Sequence, residues 1–176
     1  MSSETSEFKA TETCAMCRGR CCRHMGCHYS PRDFKDLSYE GLKREIEKGR
    51  ISIDWWVGEE PEYYLRARHI GEPIVCGSWG GTCVNLTENG CSLAWEDRPL
   101  GGRALKPGAT LLDDCEIFYS KEECKNEWKP YSHILIVLAA YYTLVRLDST
   151  APEGNMYLEK LLNGEQENEL FNKDSK

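Results

Sequence analysis

The sequence predicts a small, helix-rich α+β fold with short strands and long loops, its C-terminal helices packed on it as support. Three observations predict it. Capped segments with apolar periodicity occur at 30–49 and 120–147, two aromatic and β-branched stretches lie between residues 51 and 75, and a glycine-rich segment without periodicity runs from 76 to 108. Composition adds how such a fold is held together. Only 40% of the 176 residues are apolar, ten of them cysteine, and mean hydropathy is -0.58. A core this thin calls for crosslinks, through metal or disulfide, beyond hydrophobic burial.

Residues 1–12 form a polar tail without the apolar run of an export signal, so the chain is expected in the cytoplasm. A reducing compartment disfavours disulfides and moves ten cysteines toward metal or redox chemistry, a secreted disulfide scaffold being the alternative. Residues 13–125 are read as a cysteine-cluster metal-binding domain, 126–165 as helices packed on it, and 166–176 as a frayed tail. Within the domain, Ser30 caps a helix with Pro31 at its first position and Asp33 completing a capping box. Phe34, Leu37, Leu42 and Ile46 carry that helix to a stop at Gly49.

The stretches ISIDWWV and YYLRARHI suit short strands or a packed cover, with their pairing left open. Asn89-Gly90 marks a tight hairpin that would fold Cys83 and Cys91 toward one another. Helices follow at Ser120–Trp128 and, after Pro130, at Ser132–Leu147. The second is apolar nearly all round and is expected to be a buried core helix. A short amphipathic helix is expected around Met156 to Leu162.

Charge narrows the partners. The net charge is -7 and the pI about 5.2, with basic residues scattered except for Arg18, Arg20 and Arg23, which argues against nucleic acid. The apolar run Ile134 to Tyr142 is too short to span a bilayer. No membrane role follows, and an unidentified protein or peptide is the partner considered.

The densest chemistry is C-A-M-C-R-G-R-C-C, at Cys14, Cys17, Cys21 and Cys22. Thiolates are soft anionic ligands that suit zinc or iron–sulfur clusters, and a C-x2-C spacing lets two sulfurs reach one metal. Offsets of three and seven put Cys14, Cys17 and Cys21 on one side of a helical turn, with Cys22 facing elsewhere, toward a second metal or into packing. Cys76, Cys83, Cys91, Cys115 and Cys124 are the distant thiols able to finish the coordination. His24 and His28 either replace a thiolate or donate hydrogen bonds nearby, whereas His69 and His133 read as ordinary.

These residues resemble the YkgJ-like cysteine-cluster family, also described as the zinc- or iron-chelating CxxCxxxCC domain. The resemblance rests on Cys14-x2-Cys17-x3-Cys21-Cys22 and on the string from Cys83-Val84-Asn85-Leu86 to Gly90-Cys91-Ser92-Leu93-Ala94-Trp95-Glu96-Asp97-Arg98-Pro99, and it covers roughly residues 12–125. It implies cysteine-ligated iron–sulfur or zinc, and the metal ligands expected in this chain are Cys14, Cys17, Cys21, Cys22, Cys76, Cys83, Cys91 and Cys115. One branch of the family is similar to flagellin lysine N-methylases, but this chain has neither a G-x-G-x-x-G motif nor the C-x3-C-x2-C order of radical enzymes.

One departure stands out. The family continues R-P-x-x-C-R, and here Arg98-Pro99-Leu100-Gly101-Gly102-Arg103 has glycine at the cysteine position. Cys27, Cys76, Cys115, Cys124 or a histidine takes that role, or a metal position stays open; the hypothesis is transfer to Cys115 or an exposed reactive iron. Arg68, Arg98 and Arg103 either hold an anion, tune a cluster or cap backbone carbonyls, and Arg98 is assigned beside the cofactor. The expected cofactor is a 4Fe–4S cluster in a redox or peptide- or protein-modification role. The alternative is a zinc-stabilised adaptor with closed four-thiolate sites and no catalysis.

Overall fold

In the computed structural model the described residues are 19–24, 27–56, 62–77, 80–88, 90–106 and 115–147, and of Cys21, His24 and 145–147 only the backbone belongs to this set. Cys14, Cys17 and the helix expected around 156–162 lie outside it. The architecture is mixed, with short helices and three small antiparallel strand pairs.

The helix expected over 30–49 is two pieces. The Ser30–Asp33 capping box forms, but it caps only a 3-10 turn, Pro31–Asp33, and Phe34 is already extended. Asp36 then accepts a hydrogen bond from the Ser38 amide, and the Ser38 side chain caps a new helix, α2 (Tyr39–Glu45), through the Gly41 amide. Two competing local caps within eight residues divide what apolar periodicity joins. α2, with α1 (Arg20–His24) before it, runs into a wider turn, Ile46–Arg50, that Gly49 ends with φ +78.

The two aromatic stretches pair. β1 (Ile51–Trp56) and β2 (Glu62–Ala67) are antiparallel with Ile53 opposite Leu65. Strand alternation gives the ribbon two unlike faces. Ile51, Ile53, Leu65 and Ala67 are buried on one, and Ser52, Asp54, Trp56, Tyr64 and Arg66 share the other. There the Trp56 and Tyr64 rings stack at 3.7 Å, a diagonal cross-strand pair.

Further chain lies along both edges. On the β2 edge the Tyr29 amide donates to Leu65 O at 2.9 Å and the Ala67 amide to Cys27 O at 2.9 Å. On the β1 edge Ile53 is bracketed by Ile74 and Cys76. Past Ala67 the chain keeps pairing, with the Val84 amide donating to Arg68 O, the Ile70 amide to Thr82 O, and His69 bridged to Cys83. The single stretch Leu65–Ile70 therefore carries Cys27 along one edge and Cys83 along the other.

The hairpin expected at Asn89-Gly90 forms as β3 (Leu86–Thr87) with β4 (Gly90–Cys91), Gly90 at φ +100. Cys91 stands opposite Leu86. α3 (Leu100–Arg103) follows, then β5 (Leu105–Lys106) paired with β6 (Glu116–Ile117).

The C-terminal pattern matches the expectation closely. α4 (Lys121–Trp128) starts from a Ser120–Glu123 capping box, a 3-10 turn spans Lys129–Tyr131, and α5 covers Ser132–Leu147. Cys124 and Trp128 are buried, and the Trp128 indole donates to Tyr29 O at 2.7 Å. Glu127 accepts from the Ser30 hydroxyl and the Tyr119 hydroxyl and pairs with Arg32, tying α4 to the 3-10 turn. The chain divides into two units after Leu138. In the first, α5 buries Leu135 and Leu138 but leaves Ile136 49% exposed. It is therefore not buried all round: residues three apart share a face and Ile136 points off it. In the second, the Tyr141 and Tyr142 rings meet edge to face. Among the described residues no helix is long and apolar enough to cross a membrane.

Candidate functional site

The cysteine-rich N-terminus and the hairpin segment meet. The Cys83 amide donates to Cys22 O at 2.7 Å, and a Cβ at Gly19 would fall 2.6 Å from Leu86 Cδ1, so this glycine lets α1 seat against the hairpin. The Cys22 and Cys83 thiols hydrogen-bond to each other, which draws Cys83 down to about 6. Burial opposes that shift, and the Asn85 amide, 3.4 Å from Cys83 Sγ, assists it. A thiol with that value is largely thiolate at neutral pH, the form that binds metal.

Cys27 and Cys91 join the same region through Tyr29. Burial pushes the Tyr29 phenol above its usual range, and the negative charges of Cys83, Asp33, Cys27 and Cys91 push in the same direction. Three sulfurs from three segments thus act on one phenol. The backbone explains the approach: a Cβ at Gly101 would meet the His28 backbone at 2.9 Å, so only glycine lets α3 lie on the Cys27–Tyr29 edge. Next to it, a Cβ at Gly102 would stand 3.4 Å from Cys27 Sγ. The thiol against the position where the resembling family has cysteine is therefore Cys27.

The other predicted donors are placed differently. Cys22 is the thiol beside Cys83, and the side chains of Cys14, Cys17 and Cys21 that it was expected to face away from lie outside the described residues. Cys76 lies on the outer edge of β1, its amide donating to Ile53 O and its carbonyl accepting from Arg66. Cys115 is half-buried just ahead of β6. Cys124 is a core thiol, fully buried, donating to Tyr29 O and pushed up to about 12 by burial. The seven cysteines whose side chains are described are thiols rather than half-cystines. Among the described residues no three His, Cys, Asp or Glu side chains are grouped closely enough to hold a metal ion.

The histidines and arginines sort in the same way. His28 is packed by the Trp56 and Tyr64 rings and lowered to about 4 by burial, with Lys121 and Arg66 adding to it. It is a neutral aromatic filler. Arg68 donates to Glu72 O, Arg98 to Leu93 O and Arg103 to Glu96 O, so all three cap backbone carbonyls. Arg103 also pairs with the buried Asp33. Arg98 lies over the Trp95 ring and lines, with Tyr29, Lys35, Arg50 and Asp97, a polar cleft of about 660 Å³.

Two features escaped the sequence reading. Arg66 is buried with Asp54 and Glu72, and His69 is buried beside them. Asn85 is buried behind Cys83 with its side-chain amide nitrogen unpartnered. Opposite charges on facing strands were the available signal, but it needs the β1–β2 register before it can be used.

Comparison with protein-family models, curated proteins and solved structures found no match to this chain.

Proposed function

We propose that this chain is a metal-binding cysteine-cluster protein that holds a 4Fe–4S cluster and serves a redox or peptide- or protein-modification role. The observation that carries the proposal is the contact of Cys22 with Cys83, which joins the two cysteine motifs, with Cys27 and Cys91 near enough for their charges to act on the same Tyr29 phenol. The donor chemistry suits such a group. The sulfurs are soft, Cys83 is disposed to ionise, and the backbone N–H of Asn85 faces its sulfur. Asn85 Nδ2 is a buried donor without a partner, and such an atom calls for an acceptor at that spot.

Cys22, Cys27, Cys83 and Cys91 are the proposed thiolates among the described residues, with Cys14, Cys17 and Cys21 the proposed completion. A bound iron–sulfur cluster supplies one-electron transfer at a potential that N–H···S bonds tune, whereas zinc would supply structure alone. The zinc adaptor uses the same sulfurs. The enzyme reading gains one specific observation, the polar cleft that Arg98 and Tyr29 line.

Purification without oxygen tests the proposal. Broad absorption near about 400 nm supports the cluster, and a colourless protein with about two zinc ions per chain supports the adaptor. Cys83→Ser should lower metal content in either case. A metal-free wild-type protein contradicts both.

A further inference from the structure

His69 is the buried side chain whose chemistry the fold leaves incomplete. It is 3% exposed, and neither ring nitrogen has a hydrogen-bond partner. Its Nδ1 lies 3.2 Å from Glu72 Oε2, close enough for ionic contact but without hydrogen-bond alignment. That carboxylate is itself fixed: Oε1 accepts from Arg66 at 2.7 Å, the Ser52 hydroxyl at 2.8 Å and the His69 amide at 2.8 Å. A Cβ at Gly81 would meet Cβ, Cγ and Nδ1 of His69 at 2.9 Å, so glycine makes room for the imidazole. These contacts lie at the Nδ1 end of the ring, with Nε2 left as a buried atom in need of a partner. Such an atom is costly unless something binds it.

The backbone says what lies next to it. His69 is the antiparallel bridge partner of Cys83. Paired residues project from the same face with Cβ atoms roughly 4.5–5.5 Å apart, and both side chains are buried. A carboxylate behind one imidazole nitrogen and a metal before the other is a recurring way to orient a histidine ligand.

We propose that His69 is a nitrogen ligand, through Nε2, of the metal centre built on Cys83, with Glu72 behind it as the orienting carboxylate. This rests on the metal-binding reading above and assigns that centre mixed thiolate and imidazole coordination.

X-ray absorption at the metal edge of the anaerobically purified full chain tests it. The expected result is a metal–sulfur shell near about 2.3 Å plus a metal–nitrogen shell near about 2.0 Å, with the nitrogen shell lost in His69→Ala. For an iron centre, nitrogen hyperfine coupling in the pulsed EPR of the reduced protein should vanish in the same variant. Bound metal with sulfur ligands alone overturns the histidine ligand and leaves the metal-binding reading standing. A nitrogen shell that persists in His69→Ala also overturns it. A wild-type chain without metal overturns both.

Discussion

Replacing Arg66 with methionine should remove a large share of the stability of this chain, by an amount that depends on pH. The Arg66 guanidinium makes five hydrogen bonds, to Asp54 Oδ2, Glu72 Oε1 and Oε2, Ala67 O and Cys76 O, at 2.5 to 3.1 Å. Its side chain is 3% exposed, Asp54 1% and Glu72 8%. Methionine fills much of the volume but leaves two buried carboxylates without a cation. Breaking a buried pair from one side costs about 3–5 kcal/mol, against a typical net stability of about 5–15 kcal/mol.

The pH dependence follows from Glu72. Burial alone pushes its carboxyl up, but the Arg66 hydrogen bonds, the His69 amide and the Ser52 hydroxyl outweigh that and hold it below its ordinary 4.5. In the wild type this carboxyl adds stability above 4.5 that is lost as pH falls through its folded value. Without Arg66 the balance turns to burial, the folded value rises above the unfolded one, and stability is lost as pH rises. Urea unfolding of Arg66→Met and wild type at pH 4.5 and 7 should show the larger penalty at pH 7. Arg66→Lys, which keeps the charge but not the planar fork, should recover only part. A loss below about 1 kcal/mol, or one equal at both pH values, would refute the reasoning.

Three further outcomes are expected. Gly102→Cys puts a Cβ 3.5 Å from Cys27 Cβ, within disulfide range, so mild oxidation of metal-free protein should join the new thiol to Cys27, read by mass spectrometry; failure to crosslink would remove Cys27 from that position. Cys83, drawn from 9.0 to about 6 mainly by the Cys22 hydrogen bond, adds stability to the metal-free chain that is complete above 9.0 and lost as pH falls through about 6. Cys83→Ser should flatten that slope in urea titrations, and an unchanged slope would assign it elsewhere. Trp128→Phe leaves Tyr29 O without its 2.7 Å donor and should cost about 1–3 kcal/mol by urea unfolding, where no loss would mean water replaces the indole.

Legibility varied with how local the determinant was. The Ser120–Trp128 and Ser132–Leu147 helices and the Asn89-Gly90 hairpin were readable because a cap, a proline or a positive-φ glycine specifies each within a few residues. The helix expected at 30–49 failed for the same kind of reason, since Asp36 and Ser38 supply a competing local cap inside one apolar period. Cys83 and Cys91 were legible as a pair of interest from that hairpin. The thiol against Gly102 was not legible, because Cys27 reaches it through the pairing of residues 27–29 with β2, a contact across some forty residues of sequence. His69 looked ordinary because its burial and its Cys83 partner are properties of register, and a one-residue slip would turn it to the other face.

The most direct test is the content of metal and acid-labile sulfide in the full chain purified without oxygen. About four iron and four sulfide per chain is the expected result, and about two zinc with no sulfide would select the adaptor in its place. A chain that carries neither metal nor sulfide, or whose cysteines are joined as cystines, would contradict the account.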